Sequence, residues 1–166
     1  MTRVNVEHAQ ISDWRRSRAV RLRALADMPD AFGSTLDRET QFTDEEWRRR
    51  LASADAATFI ANIDGADIGI VVAARSDDGE AGLYAMWVAP EARGKGAGDA
   101  LITSAANWAR ERGFRRITLG VGDFNTPAIR LYERHGFRPT GETGTLPPPR
   151  THVTEHKRTL VLRPAS

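Results

Sequence analysis

The segment with the clearest chemical potential in this 166-residue chain is rich in glycine. It reads Val88-Ala89-Pro90-Glu91-Ala92-Arg93-Gly94-Lys95-Gly96-Ala97-Gly98-Asp99 and joins an apolar, strand-like stretch to a helix-like one. Glycine at three alternate positions leaves backbone N–H groups uncovered, and the start of the helix adds the positive end of its dipole. Arg93 and Lys95 add positive charge. Together these features predict a binding site for a phosphate or pyrophosphate group.

The spacing of the glycines argues against two familiar nucleotide sites. A P-loop requires a serine or threonine after its lysine, whereas Gly96 follows Lys95. The dinucleotide fingerprint requires G-x-G-x-x-G, whereas this segment has G-x-G-x-G, and the strands before it look antiparallel. A glycine-rich turn that binds no ligand is the remaining alternative at this point.

The elements around this segment predict one mixed α/β domain over residues 1–166. Two early helices are predicted, one after Ser12 and one opened by the capping box of Thr43 and Glu46. Later helices are predicted at 100–112 and 127–135, each closed by a Gly-Phe pair. The predicted strands are 4–6, 58–63, 68–74, 82–88, 117–121, 138–143 and 159–162.

Two motifs in this arrangement resemble those of the GNAT superfamily of acyl-CoA-dependent N-acetyltransferases. Residues 93–98 follow the pattern R/Q-x-x-G-x-G/A, and residues 125–137 follow N-x-x-A-x-x-L-Y-x-x-x-G-F. The resemblance covers roughly residues 58–143. It implies a mostly antiparallel central sheet of six to seven strands, splayed at an acetyl-CoA cleft and flanked by about four helices.

The resemblance also implies where acetyl-CoA, the cosubstrate, would bind. The cleft would lie where strand 82–88 diverges from strand 116–121. Backbone N–H groups of the glycine-rich segment would hold the pyrophosphate, and the strand before it would flank the pantetheine arm. The implied cofactor-binding residues are Met86, Trp87, Val88, Arg93, Gly94, Lys95, Gly96, Ala97, Gly98, Asn125, Ala128 and Tyr132.

The implied reaction is direct attack of an amine on the thioester through a tetrahedral intermediate, with no acetyl-enzyme. Tyr132 matches the family tyrosine that faces the thioester sulfur, so we expect it to act as the general acid for the leaving thiolate. An ammonium group must first lose a proton, and Glu80 and Glu39 are the candidate bases. A chain of water molecules is the alternative to either carboxylate.

The composition excludes several other classes of protein. With no cysteine, the chain has no disulfide framework, thiolate metal site or cysteine nucleophile. His152 and His156 are expected in a solvated loop, so no metal site is predicted. The 24 basic and 22 acidic residues are interleaved, which predicts no nucleic-acid partner. We expect no membrane association and a cytoplasmic location, because no apolar stretch is long enough for a span or a secretory signal.

The identity of the acceptor is open at this stage. A primary amine of a small molecule or amino acid is the first hypothesis, and residues 29–39 resemble the family's substrate-side loop. A protein or peptide acetyltransferase, acting on an N-terminus or a lysine, is the second hypothesis. A non-catalytic acyl-CoA-binding sensor is the third. By the same resemblance, residues 158–163 are expected to support a homodimer.

Overall fold

The computed structural model describes residues 3–164, and within them the chain forms one seven-stranded sheet with helices packed against it. The strands are β1 (Val4–His8), β2 (Ala56–Ile63), β3 (Ala66–Arg75), β4 (Ala81–Val88), β5 (Arg116–Gly122), β6 (Arg138–Thr145) and β7 (Thr154–Val161). The α-helices are α1 (Trp14–Asp27), α2 (Leu36–Glu39), α3 (Asp44–Ala52), α4 (Ala97–Glu111) and α5 (Thr126–Arg134). This is the mixed α/β architecture that the sequence predicts.

The sheet divides in its middle. Its order is β1-β2-β3-β4-β5-β7-β6, and its neighbours are antiparallel except for β4 and β5, which are parallel. These two strands pair only at Ala81 with Ile117 and at Gly82 with Thr118. Beyond these pairs, β4 has no partner on that side within the described residues, so a cleft opens between the C-terminal ends of the two strands.

Burial of one apolar face fixes the helix that follows β4. Leu101, Ile102 and Ala105 of α4 are buried in the core, where the helix packs against β2 and β3. This packing holds the first turn of α4 beside the end of β4. Within residues 3–164, none of the helices combines the length and the apolar character that crossing a bilayer requires.

Local signals set several element boundaries where the sequence predicts them. The hydroxyl of Thr43 accepts a hydrogen bond from the Glu46 N–H at 3.2 Å, and the Glu46 carboxylate accepts one from the Thr43 N–H at 3.3 Å. This capping box starts α3. At the ends of α4 and α5, Phe114 and Phe137 each donate an N–H to a carbonyl five residues back, as a Schellman stop requires.

Two boundaries differ from the prediction. The first helix begins at Trp14, after a short 3-10 turn at Ile11–Asp13. The Asp13 carboxylate accepts a hydrogen bond from the Gln10 N–H, so the capped start of this segment is at Gln10 rather than at Ser12. The last strand begins at Thr154 rather than at residue 159. Its first half is polar and lacks apolar alternation, and it forms because β5 and β6 pair with its backbone on both sides. Glu155 and His156 therefore lie in the sheet, which corrects the predicted loop.

The position of β7 bears on the predicted homodimer. Because β5 and β6 occupy both sides of β7, residues 158–163 do not form a free sheet edge. Within the described residues, the edge strands of the sheet are β1 and β6. The homodimer itself stays a prediction.

Candidate active site

A cavity of about 580 Å³ lies between the end of β4, the start of α4 and α5. We call it the cofactor cavity. All of the residues implied for acetyl-CoA binding line it except Lys95, which is exposed, and Tyr132, which lines a neighbouring cavity. Met28 and Ala31, from the segment after α1, form part of its wall.

One end of the cofactor cavity is built to accept an anion. Gly96 is the residue before α4 and adopts a left-handed conformation with φ 88°. The N–H groups of Ala97, Gly98 and Asp99 follow in the first turn, where a helix offers them no acceptor. Within the described residues, no side chain caps this turn. These groups and the helix dipole therefore favour a phosphate at this end.

The side chain of Arg93 is engaged within the protein, although its charge suggested a role in binding phosphate. Its Nη2 lies 3.0 Å from Oδ2 of Asp27, and its Nε donates to the Val88 carbonyl at 3.1 Å. Nε1 of Trp87 donates to the same Asp27 oxygen at 2.9 Å. The charge of Arg93 is thus compensated by Asp27, and the side chain ties the glycine-rich segment to the end of β4.

Replacing Gly96 by alanine is expected to raise the Kd for acetyl-CoA about tenfold. A Cβ at a left-handed position costs about 1–2 kcal/mol, so the free turn of the variant should relax to another conformation and acetyl-CoA must restore the strained one on binding. About 1.4 kcal/mol of such a cost corresponds to a tenfold change in affinity. Calorimetric titration would measure it. Gly144→Ala is the matched control, since Gly144 has no positive φ and open space around its Cα. An unchanged Kd for Gly96→Ala would contradict a role for this turn in binding.

A bulge in β4 marks the point where the cleft begins. Tyr84 pairs with Val72 and Trp87 with Ile70, so two residues of β4 oppose one residue of β3. One of the two, Ala85, has φ 58°, which is a strained conformation for a residue with a side chain. Strain of this kind is often held at functional sites, and here it turns the β4 backbone where it leaves β5.

A second cavity, of about 410 Å³, adjoins the cofactor cavity. We call it the acceptor cavity. The two cavities share Ala31, Met86 and Asn125 in their linings. Both tyrosines of the chain, Tyr84 and Tyr132, line the acceptor cavity. The two cavities therefore meet at the β4 bulge and at the start of α5.

Tyr132 is held in an environment that keeps its phenol protonated. Its side chain is buried and packs edge-on against Phe137, with ring centroids 5.7 Å apart. Burial raises the pKa of the Tyr132 phenol well above its ordinary value, because a phenolate would lose its hydration there. Tyr132 is therefore available as a donor of a hydrogen bond or a proton, and it is unsuited to be a base.

Glu39 does not fit the role of base that the sequence suggested. Its buried carboxylate accepts hydrogen bonds from Arg21 at 3.0 and 2.8 Å and from Arg50 at 3.1 Å. Burial alone would raise its pKa, but the hydrogen bonds and charges of these arginines lower the pKa below its ordinary value. Glu39 lines neither cavity. It instead links α2 to α1 and α3.

Glu80 also lies away from both cavities. It precedes β4, at the end where β4 and β5 are still paired, whereas both cavities lie towards the other end. Its backbone is held in the turn, with its carbonyl accepting from the Ser76 N–H and its N–H donating to Asp78. It lines neither cavity. Glu80 is far from the cleft because it precedes the N-terminal end of β4, whereas only the C-terminal end of β4 diverges from β5.

The carboxylate that does line the acceptor cavity is Glu155, which was expected in a solvated loop beside His156 and was not predicted to be a base. Its carboxylate oxygens lie 3.7 and 3.8 Å from where a Cβ on Gly120 would be. Burial raises the pKa of Glu155, and the charge of Arg150 partly opposes this shift. Predicting a strand that begins at Thr154 would have revealed the position of Glu155, but the polar residues of this stretch do not indicate a strand.

The neighbouring histidines do not assemble a metal site. Nε2 of His156 lies 3.9 Å from Oδ2 of Asp123, and His152 is exposed in the loop before β7. In the part of the chain that the structure describes, no group of three or more His, Asp or Glu residues could hold a metal ion.

Arg150 holds the outer wall of the acceptor cavity. This wall includes residues 31–34, within the segment that resembles a substrate-side loop. Nη1 of Arg150 donates to the carbonyl of Pro29, and Nη2 lies 3.3 Å from the carbonyl oxygens of both Gly33 and Ser34. One side chain from the loop between β6 and β7 thus fixes a segment that is far away in sequence.

Comparison with known proteins agrees with this geometry. The family model for the acetyltransferase (GNAT) family matches residues 22–137. The chain belongs to this family. A mycothiol acetyltransferase from Thermobispora bispora is 34% identical over 125 residues, which cover 72% of this chain and 41% of the relative. This GNAT chain therefore spans about two fifths of the length of that curated relative.

Solved structures share the GNAT fold over nearly the whole chain. A GNAT-family acetyltransferase from Streptococcus pneumoniae has a TM-score of 0.80 at 22% identity, covering 97% of this chain and 100% of that one. YncA from Salmonella typhimurium, solved with its cofactor acetyl-CoA, has a TM-score of 0.78 at 16% identity, covering 99% and 96%. These likenesses confirm the predicted fold.

Proposed function

We propose that the protein transfers the acetyl group of acetyl-CoA to a primary amine of a small molecule or amino acid. The observation that carries this proposal is the meeting of two cavities where β4 leaves β5. One cavity offers uncovered N–H groups at the start of α4, and the other contains a buried, protonated tyrosine. The family membership supports acetyl-CoA as the cosubstrate.

The cofactor cavity suits acetyl-CoA at both of its ends. The first turn of α4 offers N–H groups to a pyrophosphate. The segment of β4 after Gly82 lacks a β5 partner within the described residues, so the amide groups of a pantetheine arm can pair with it as an added strand would. Met86 and Asn125 line both cavities, which would place a thioester at their junction.

Acetyl transfer at this junction proceeds by direct attack of the neutral amine on the thioester carbonyl. A tetrahedral intermediate forms, and its collapse breaks the carbon–sulfur bond. Tyr132 then donates a hydrogen bond and a proton towards the departing sulfur. Its buried position keeps the O–H intact at neutral pH, so the group is ready before each turnover.

The walls of the acceptor cavity favour a small acceptor over a protein. The segment that closes it on one side is tied down by Arg150 at three backbone carbonyls. A polypeptide acceptor would need an open groove at this place. The relative from T. bispora is named a mycothiol acetyltransferase. Protein or peptide acetylation is the second candidate function.

Two measurements test the proposal. Calorimetric titration should show stoichiometric binding of acetyl-CoA and none of ATP or NAD. A panel of small amines is then assayed for release of CoA with a thiol reagent; because the chain has no cysteine, all thiol detected comes from CoA. Folded protein that does not bind acetyl-CoA would contradict the proposal. Binding without turnover of any amine would instead favour an acyl-CoA sensor.

A further inference from the structure

We propose that Glu155 is the catalytic base, which binds the ammonium group of the acceptor and removes its proton. This inference rests on the proposed acetyl transfer and deepens it, because it assigns a residue and a charge preference to the acceptor cavity. An acceptor that presents a cationic primary amine, such as an alkylamine or a diamine, is the class that this carboxylate fits.

The sheet leaves space around the Glu155 side chain. Its direct partners across the sheet are Gly122 on β5 and Gly144 on β6. Residues directly opposite each other in a sheet point to the same face, so neither partner has a side chain of its own beside Glu155. The ring of Phe124 takes the place of a Cβ on Gly122, whereas the place of a Cβ on Gly144 is open. Gly120 lies below the carboxylate, close enough that a Cβ there would contact it. The carboxylate thus lines the acceptor cavity, with open space on its β6 side.

The charge of Glu155 has no ion-pair partner within residues 3–164, since the charged groups around it are engaged elsewhere. Arg21 of α1, which lines the same cavity, is paired with Glu39 at 2.8 Å. Arg150 is held by backbone carbonyls, although its charge still lowers the pKa of Glu155. Lys157, two residues along β7, lies 3.1 Å from Glu142.

Besides Arg21 and Glu155, the titratable groups that line the acceptor cavity are two phenols. Tyr84 of β4 and Tyr132 of α5 both have a raised pKa, with burial as the main cause, and so both are neutral at physiological pH. Glu155 is the one carboxylate among the described residues that line the acceptor cavity, and an entering ammonium group can pair with it. A half-buried carboxylate of this kind attracts a cation more strongly than one in open water.

The proton balance of the reaction assigns one step to Glu155. The ammonium transfers a proton to the carboxylate, and the resulting amine forms the new carbon–nitrogen bond. When the carbon–sulfur bond breaks, Tyr132 supplies a proton to the thiolate and regains one from the nitrogen of the intermediate, which is still protonated after the attack, so that a neutral amide remains. Glu155 finally releases its proton to solvent. One ammonium and one acetyl-CoA thus give one amide, one CoA thiol and one free proton.

This role gives a defined pH dependence. Because Glu155 must be ionised to accept a proton, kcat/KM for an alkylamine should rise as the pH increases through its raised pKa and then level off. Without the carboxylate, the rate should instead follow the small fraction of neutral amine and continue to rise with pH.

The test compares Glu155→Gln with two other variants. With putrescine as acceptor, Glu155→Gln should lower kcat/KM at neutral pH by about 10²-fold or more, while the Kd for acetyl-CoA stays unchanged. With hydroxylamine, which is largely unprotonated at neutral pH, the loss should be much smaller. Glu155→Asp should keep the levelling pH profile at a reduced rate. Glu111→Gln, at the exposed end of α4, is the matched control.

The possible results distinguish the role of Glu155 from the proposed acetyl transfer on which it rests. Glu155→Gln with a wild-type rate and pH profile would overturn the role of Glu155 and leave acetyl transfer standing. Equal losses with putrescine and hydroxylamine would also overturn it, since a purely structural defect does not depend on the protonation of the acceptor. Wild-type protein that fails to bind acetyl-CoA, or that acetylates no amine of the panel, would overturn the proposed function itself. Wild-type protein that acetylates other amines of the panel but not putrescine would overturn the preference assigned to Glu155 and leave acetyl transfer standing.

Discussion

Replacing Tyr132 by phenylalanine is expected to lower the rate of acetyl transfer about a hundredfold or more and to leave acetyl-CoA binding unchanged. Contributions of a positioned general acid are typically about 10²–10⁴-fold. The substitution removes one oxygen and keeps the ring that packs against Phe137. Because Tyr132 does not line the cofactor cavity, the Kd for acetyl-CoA should not depend on its hydroxyl.

Single-turnover kinetics at saturating acetyl-CoA would measure this loss, with calorimetry for the Kd. Tyr84→Phe provides the comparison, since Tyr84 is the other tyrosine of the chain and half of its side chain is exposed. We expect it to lose much less activity, because its ring lies back over Gly82 at the paired end of β4. Equal losses in the two variants would contradict a specific role for Tyr132.

Replacing Glu39 by glutamine is expected to lower the free energy of unfolding by about 3 kcal/mol. The change leaves Arg21 and Arg50 without their shared counter-charge at a fully buried site, and breaking a buried pair in this way typically costs about 3–5 kcal/mol. For a chain of this size the melting temperature should fall by about 6–12 °C. Glu45→Gln is the control, because Glu45 pairs with Arg49 at the surface and should shift stability by about 0.5 kcal/mol or less.

The pH dependence of this difference has a definite sign. The pKa of Glu39 is lowered in the folded state, so its contribution to stability is present above the unfolded pKa and is lost as the pH falls through the folded pKa. Thermal unfolding followed by circular dichroism at several pH values should show wild type and Glu39→Gln converging in acid. A constant difference down to low pH would show that charge is not what stabilises this site.

The cofactor side of the cleft could be predicted from sequence because local geometry determines it. A left-handed residue before α4 requires glycine or a strained substitute, and Gly96 occupies that position. The ends of α4 and α5 are equally easy to predict, because a glycine followed by Phe114 or Phe137 closes each helix. The parallel contact between β4 and β5 follows once the strand between the two motifs is placed. The turn at Gly96 and the two helix ends are each set by a few adjacent residues, whereas the contact between β4 and β5 joins strands that α4 separates.

The acceptor side could not be predicted in the same way because contacts between distant residues determine it. Glu39 has the sequence surroundings of a solvated carboxylate, yet Arg21 and Arg50 enclose it from two other helices. Arg93 carries a charge suited to phosphate, but Asp27, 66 positions away, compensates that charge. Glu155 lies on a strand that only pairing with β5 and β6 creates. No short window of sequence contains these partners.

The three hydrogen bonds of Arg150 also bear on how acceptor preference can change during evolution. They join residues 29–34 to the loop between β6 and β7, and both Arg150 and Glu155 lie beyond residue 137, where the match to the family model ends. A lineage that remodels one segment alone loses the anchor of the other. The two segments therefore change together, and moving the acceptor cavity onto another GNAT scaffold requires transplanting both of them. Ala31, which also lines the cofactor cavity, would move with them.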